Sequence, residues 1–150
     1  MRKEIDIRKA KVYDLHFLGK LRDEVNPFLH GQYHFYPQKQ KKFWNEQMAT
    51  KKYLLWIICV GKHKAGYLQL RNFENGSAEF GIAILEKYRE KKLGGMAIQR
   101  FMRIVRQMKL KRLWLTVKKD NPRAMALFEK SGFCYIARED DNAYHMELIL

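Results

Sequence analysis

Two hydrophobic rhythms divide the chain. Ile5, Ile7 and Ala10 predict a short opening strand, and Val12, Leu15, Leu18 and Leu21 then recur at helical spacing up to Glu24. Asn26–Pro27 stops that helix. The aromatic, histidine-rich loop Phe28–Pro37 follows, then a second helix over Gln38–Ala49 with Phe43, Gln47 and Met48 near one face. Tyr53–Val60 is a continuous apolar run, the pattern of a strand covered on both faces. After a turn at Gly61–Lys64, Ala65–Leu70 completes a hairpin. Asn75–Gly76 signals a second tight turn, and Ala78–Leu85 a third strand.

Helical spacing then takes over. Leu93, Ala97, Phe101, Ile104, Val105 and Met108 mark one face of a long helix. Arg112–Val117 reads as a strand. Asn121 and Pro122 open a short helix as N-cap and first residue, and Gly132 ends it. Cys134–Ala137 and Tyr144–Leu150 close the chain as a hairpin around Asp140–Asn142. The order β-α-α-β-β-β-α-β-α-β-β predicts an α/β fold: a mixed, mostly antiparallel sheet of about seven strands flanked by about four helices.

Composition narrows the class. With 150 residues, 47% of them hydrophobic, one domain with a packed core is expected. No apolar run is long enough to cross a bilayer, and the charged opening MRKEIDIRKA lacks the apolar stretch of a signal peptide, so a cytoplasmic location is expected. The two cysteines, Cys59 and Cys134, show no metal-binding spacing. Thirty basic residues against sixteen acidic give a net charge of +14, which attracts polyanions without choosing among them. The common nucleic-acid readers leave no motif here, which argues against nucleic acid as the partner.

One basic group has a distinctive context. Lys87, Arg89, Lys91 and Lys92 directly precede Gly94–Gly95 and the long helix. Free amides at a helix start, the helix dipole and bare glycines suit a phosphate or pyrophosphate. The stretch is neither a P-loop nor a dinucleotide fingerprint.

Together with the later strand, polar turn and short helix, this region resembles the GNAT superfamily of acetyl-coenzyme-A-dependent N-acetyltransferases. The family's phosphate loop, Arg/Gln-x-x-Gly-x-Gly/Ala, maps onto Arg89, Glu90, Lys91, Lys92, Leu93 and Gly94, preceded by the aromatic Tyr88. Its later signature, N-x-x-A-x-x-L-Y-x-x-x-G-F, maps onto Asn121, Ala124, Leu127, Phe128, Gly132 and Phe133. The resemblance runs from Ala65 to Phe133. There are two departures: Lys92 replaces the first loop glycine, and Phe128 replaces a tyrosine whose hydroxyl protonates the leaving thiolate in many relatives.

The resemblance implies acetyl-CoA as cofactor. Ile82, Ala83 and Ile84 would meet the pantetheine arm, with a backbone N–H as oxyanion donor. Arg89, Glu90, Lys91, Lys92, Leu93, Gly94 and Gly95 would line the pyrophosphate. Asn121 and Ala124 would contact the arm, and Phe128 would pack beside the thioester. Glu79 is the expected general base, on a strand among apolar neighbours. Thr116, at another common base position, does not titrate; Tyr135, Tyr144 and His145 are spare titratable groups. His30, Tyr33, His34 and Tyr36 would border the acceptor amine.

The first helix, aromatic loop and hairpin are also similar to amino-sugar N-acetyltransferases acting on nucleotide-linked sugars, and a homodimer is compatible with the pattern. The competing expectations are an acyl-CoA-binding sensor without turnover and a protein N-terminal or lysine acetyltransferase.

Overall fold

A computed structural model describes residues 4–25, 41, 42, 44–46, 52–89, 92–137 and 142–150. Strand β1 (Ile5–Lys9) leads through a 3-10 turn at Val12–Asp14 into α1 (Leu15–Val25). Residues 41, 42 and 44–46 are helical. Then follow β2 (Tyr53–Val60), β3 (His63–Glu74), β4 (Ser77–Ile84), a short α2 (Glu86–Arg89) and α3 (Leu93–Arg106). The chain ends with β5 (Arg112–Lys118), α4 (Pro122–Lys130), β6 (Cys134–Ile136) and β7 (Ala143–Ile149).

Seven strands form one sheet in the order β1-β2-β3-β4-β5-β7-β6. Among the described strands only the β4–β5 pair is parallel. The expected mixed, mostly antiparallel architecture is therefore present, with these differences. The 3-10 turn takes the first residues of the expected first helix. Strand β3 already begins at His63 and runs on to Glu74. The long helix stops at Arg106. The short helix α2 was not expected; its first N–H, at Glu86, donates to Glu24 Oε1 at the far end of α1 (2.9 Å).

The turn chemistry follows the residues. Asn75 and Gly76 both have positive φ (48° and 80°), as a two-residue hairpin needs. Asn121 caps α4 through Oδ1, which accepts from the Ala124 N–H at 3.2 Å, with Pro122 at the first helical position. Gly132, at φ 98°, ends α4.

Each face of the sheet carries its own apolar layer. Under α3 and α4, Phe101 is fully buried and meets Trp56 edge-on at 4.8 Å and Phe80 at 5.9 Å. Phe80 also stacks on Phe133 at 5.7 Å and meets Phe128 edge-on at 6.3 Å. Burying such a ring contributes on the order of 1.5–3 kcal/mol. On the opposite face, Leu18, Leu21 and Val25 of α1 cover Tyr53, Leu55, Ile57, Tyr67 and Ala83. Asp14, fully buried, fastens α1 to the sheet. Its carboxylate accepts from Arg8 (2.8 and 2.9 Å), Lys64 (2.6 Å) and the Lys11 N–H (2.7 Å).

Candidate active site at the split between β4 and β5

Strands β4 and β5 pair at three positions only: Ser77 with Arg112, Ala78 with Leu113, and Glu79 with Trp114. Beyond them β4 continues to Ile84 and β5 to Lys118 with no further register between them. The two strands part toward their C-terminal ends. The Leu85 N–H bond to the Ala65 carbonyl (2.9 Å) sets the phase of the β3–β4 ladder. Because backbone groups alternate between a strand's two edges, those of Phe80, Ile82 and Ile84 face β5. Below the split they meet the ladder; at Ile82 and Ile84 they line the gap.

The N-terminus of α3 stands over the open end. A Cβ on Gly94 would lie 3.0 Å from Leu127 and 3.5 Å from Ile84, so a bare glycine lets α3 approach both α4 and the end of β4. Gly95, exposed, has nothing within 4 Å of where its Cβ would be. The amides of Leu93, Gly94 and Gly95 precede the bond from Met96 N–H to the Lys92 carbonyl (3.3 Å), which opens the helical ladder. Lys92 sits in the left-handed region at φ 56°, so this position demands a glycine-like backbone while carrying a cation. The Arg89 Nε donates to the Ile84 carbonyl at 2.9 Å, tying the loop to the rim of the split. These residues fit a diphosphate-bearing ligand: open amides, a helix dipole, exposed space at Gly95 and the Lys92 charge converge on one end. Glu90 and Lys91 lie outside the described residues.

Asn121 is spent, through Oδ1, on the helix cap. Ala124 and Phe128 lie on α4; Phe128 is buried against Phe80 and Phe133, and no hydroxyl stands in its place.

On the α1 side of the sheet, one cross-strand row runs Tyr53, Arg71, Glu79, Trp114, Glu147, Cys134. Glu79 accepts from Arg71 Nε and a second guanidinium nitrogen, both at 3.0 Å, and from Asn72 Nδ2 at 2.6 Å. The apolar surroundings expected for Glu79 are thus replaced by two polar partners. Above it, Gly81 leaves room for Gln69: a Cβ there would lie 2.5 Å from Gln69 Nε2. Gln69 Oε1 accepts from the Tyr53 hydroxyl, which accepts in turn from Arg22 at 2.6 Å. Burial pushes the Tyr53 phenol up to about 12, against the pull of Arg22. Across the split, Thr116 Oγ1 lies 3.4 Å from His145 Nδ1, and His145 is buried.

Sequence reasoning did not single out Arg22, Tyr53, Gln69, Arg71 or Asn72. The signal was present in the hairpin strand: Gln69 and Arg71, two apart, share one face of an otherwise apolar run. His30, Tyr33, His34 and Tyr36 lie outside the described residues. A hollow of about 470 Å³ around Gly76, Ser77, Lys111 and Arg112 sits at the paired end of β4 and β5, away from the split. Among the described residues no helix is long and apolar enough to cross a membrane, and no group of metal-binding side chains occurs.

Solved structures share this fold. The spermidine N-acetyltransferase of Vibrio cholerae, in complex with CoA and spermine, superposes with a TM-score of 0.88 over 97% of this chain and 95% of that one, at 19% identity. A domain from Methanocaldococcus jannaschii superposes with a TM-score of 0.85 over 99% and 100%, at 21% identity. A dodecameric form of the V. cholerae enzyme gives 0.84 over 97% and 93%, at 19% identity. No curated protein matches in sequence. The acetyltransferase (GNAT) family model matches residues 18–133. The chain therefore belongs to the GNAT family, as an N-acetyltransferase whose co-substrate is acetyl-CoA.

Proposed function

We propose that this chain is a cytoplasmic enzyme that acetylates a primary amine on a small molecule, by direct attack of the amine on the thioester. The observation that carries the reading is the parting of β4 and β5 beyond Glu79 and Trp114, directly beneath the N-terminus of α3. Bound acetyl-CoA supplies an acyl carbon already activated as a thioester.

The chain's own groups do the rest. Lys92, Leu93, Gly94 and Gly95, with Arg89, Glu90 and Lys91, hold the diphosphate. Ile82, Ala83 and Ile84 orient the arm in the gap, and the Ile82 N–H faces the carbonyl oxygen as charge builds there. Asn121, Ala124 and Phe128 close the arm's other side. Without a hydroxyl at Phe128, the departing thiolate takes its proton from solvent. Positioning both reactants supplies much of the acceleration. Three donors already occupy the Glu79 carboxylate, so we assign it to drawing in the acceptor's ammonium rather than removing its proton.

For the acceptor, charge favours an amine that also carries an anionic group, such as a nucleotide-linked amino sugar. The chain's net charge is +14, and Glu147, in the row below the split, is held by Arg112. His30, Tyr33, His34 and Tyr36 would border the acceptor amine. The second reading is a polyamine acceptor, favoured by the fold shared with the V. cholerae enzyme crystallised with spermine. The loss of a hydroxyl at Phe128 keeps a sensor that binds acetyl-CoA without turnover as a third. As a homo-oligomer, here a homodimer, the protein would follow the commonest soluble assembly.

The test is an acceptor screen read by release of free thiol, with nucleotide-linked amino sugars, simple amino sugars, polyamines and peptides as acceptors. Turnover on the anionic amines supports the finer reading. Turnover on polyamines alone replaces it, and binding of acetyl-CoA without turnover on any amine returns the sensor.

A further inference from the structure

The split leaves one question open at the reacting nitrogen: where its proton goes. On the α1 side of the sheet, the first side chain of β5 beyond the last β4–β5 pair is Thr116. Its counterpart on the β4 wall, Gly81, has no side chain at all, and Gln69 fills the space above it. Thr116 is half-buried, on the wall of the gap, and its Oγ1 lies 3.4 Å from Nδ1 of His145, directly opposite on β7. His145 is 7% exposed. The pair places a hydroxyl at the wall of the gap and an imidazole beside it, on the neighbouring strand β7.

We propose that Thr116 and His145 form the proton exit of the acetyl-transfer step, a proposal that rests on the acetyltransferase reading above. As the C–N bond forms, an N–H bond of the amine breaks and its proton passes to Thr116 Oγ1. That hydroxyl's own proton moves to His145 Nδ1, which accepts in the tautomer protonated at Nε2, leaving an imidazolium. The C–S bond breaks and the thiolate takes a proton from solvent; His145 later returns its proton to solvent.

Threonine does not titrate, but as a relay it needs only to donate and accept at one oxygen. Histidine is the side chain whose ordinary range spans neutral pH. Among the described residues, the sheet register sets these groups around His145. Glu147, two positions along β7, is held by Arg112. Ile136 lies opposite His145 on β6, and Cys134 lies opposite Glu147. Trp114 and Lys118 flank Thr116 on β5, and Glu79 with Arg71 stands across the split. Thr116 acts on the substrate; His145 is a positioning and proton-accepting residue that works through it.

The experiment compares wild type with His145→Gln, Thr116→Val and Thr116→Ser, using the best acceptor from the screen and free-thiol release between pH 5 and 9. Calorimetry with acetyl-CoA and a thermal melt accompany each variant. His145→Gln and Thr116→Val should lower kcat by about tenfold or more, within the range of a positioned base, while KM for the amine and affinity for acetyl-CoA stay within about threefold. The acidic limb of the wild-type pH profile should vanish in both, and Thr116→Ser should restore rate and limb.

If His145→Gln fails to fold, the Thr116 pair of variants decides. Wild-type rate and profile in Thr116→Val, or in a folded His145→Gln, overturns the relay and leaves the acetyltransferase reading intact. A wild-type chain that binds acetyl-CoA yet turns over no amine overturns both.

Discussion

Arg71 and Glu79 face each other across the β3–β4 ladder, and the guanidinium of one donates twice to the carboxylate of the other, both bonds at 3.0 Å. The register makes this pair, because the Asn75–Gly76 turn brings the polar tail of β3 alongside the first residues of β4. A two-pronged bond of this kind fixes the carboxylate's direction as well as its charge. Asn72, at φ 52°, adds the third donor.

Glu79→Gln separates two roles for this residue. If Glu79 draws in the ammonium, the variant raises KM for the amine by about tenfold and leaves the acidic limb of the rate in place. A fall in kcat of about 10²–10⁴ with loss of that limb would instead make Glu79 the base. Steady-state kinetics across pH reads the difference.

Lys92 offers a second separation. A side chain in the left-handed region costs about 1–2 kcal/mol, and glycine removes that cost while adding about 0.4–1 kcal/mol of unfolded-state entropy. Lys92→Gly is therefore at least as stable as wild type in urea unfolding. The same change removes a cation beside the open amides of α3, so affinity for acetyl-CoA falls, most at low salt. A variant that loses stability and keeps its affinity contradicts both halves of this argument.

Gly95→Leu fills space that the protein itself leaves empty. Nothing lies within 4 Å of the added Cβ, and leucine is the better helix former, so the melting temperature holds or rises. The side chain then stands where the diphosphate belongs, and affinity for acetyl-CoA drops by about tenfold or more, roughly 1.4 kcal/mol. Unchanged affinity would move the site elsewhere.

Asp14 sets an acid limit on stability. Burial alone would raise its pKa; the bonds from Arg8, Lys64 and the Lys11 N–H outweigh burial and bring it from 3.8 down to about 2. A depressed carboxylate stabilises the fold above its unfolded pKa and loses that contribution as pH falls through the folded one. The loss therefore runs from about pH 5 down to about pH 2 and amounts to on the order of 2 kcal/mol. Asp14→Asn lowers stability at neutral pH and flattens its dependence on pH across that window. Urea midpoints at pH 7, 4 and 3 measure both effects.

The legible and the hidden parts of this molecule differ in range. The apolar run of β2, the Asn75–Gly76 turn, the Asn121–Pro122 cap and the glycine after α4 are local signals, and each stands where its residues point. The tail of β3 was not legible, because Arg71, Asn72 and Glu74 read as loop until β4 supplies partners. Helix α2 is four residues long and is capped by Glu24, sixty-two positions away, which no local rhythm announces. The expected position of Glu79 on a strand was right, but its partners depend on register. Thr116 and His145 are likewise 29 residues apart and meet only through the β5–β7 ladder. His30, Tyr33, His34 and Tyr36 fall outside the described residues.

Every role assigned above requires the N-terminus of α3 and the gap beneath it to hold acetyl-CoA. Isothermal titration of the chain with acetyl-CoA measures this. One site per chain is expected, with affinity that weakens with added salt and falls by about tenfold or more in Gly95→Leu, whose melting temperature holds or rises. No heat at millimolar ligand, or equal binding by wild type and Gly95→Leu, would contradict it.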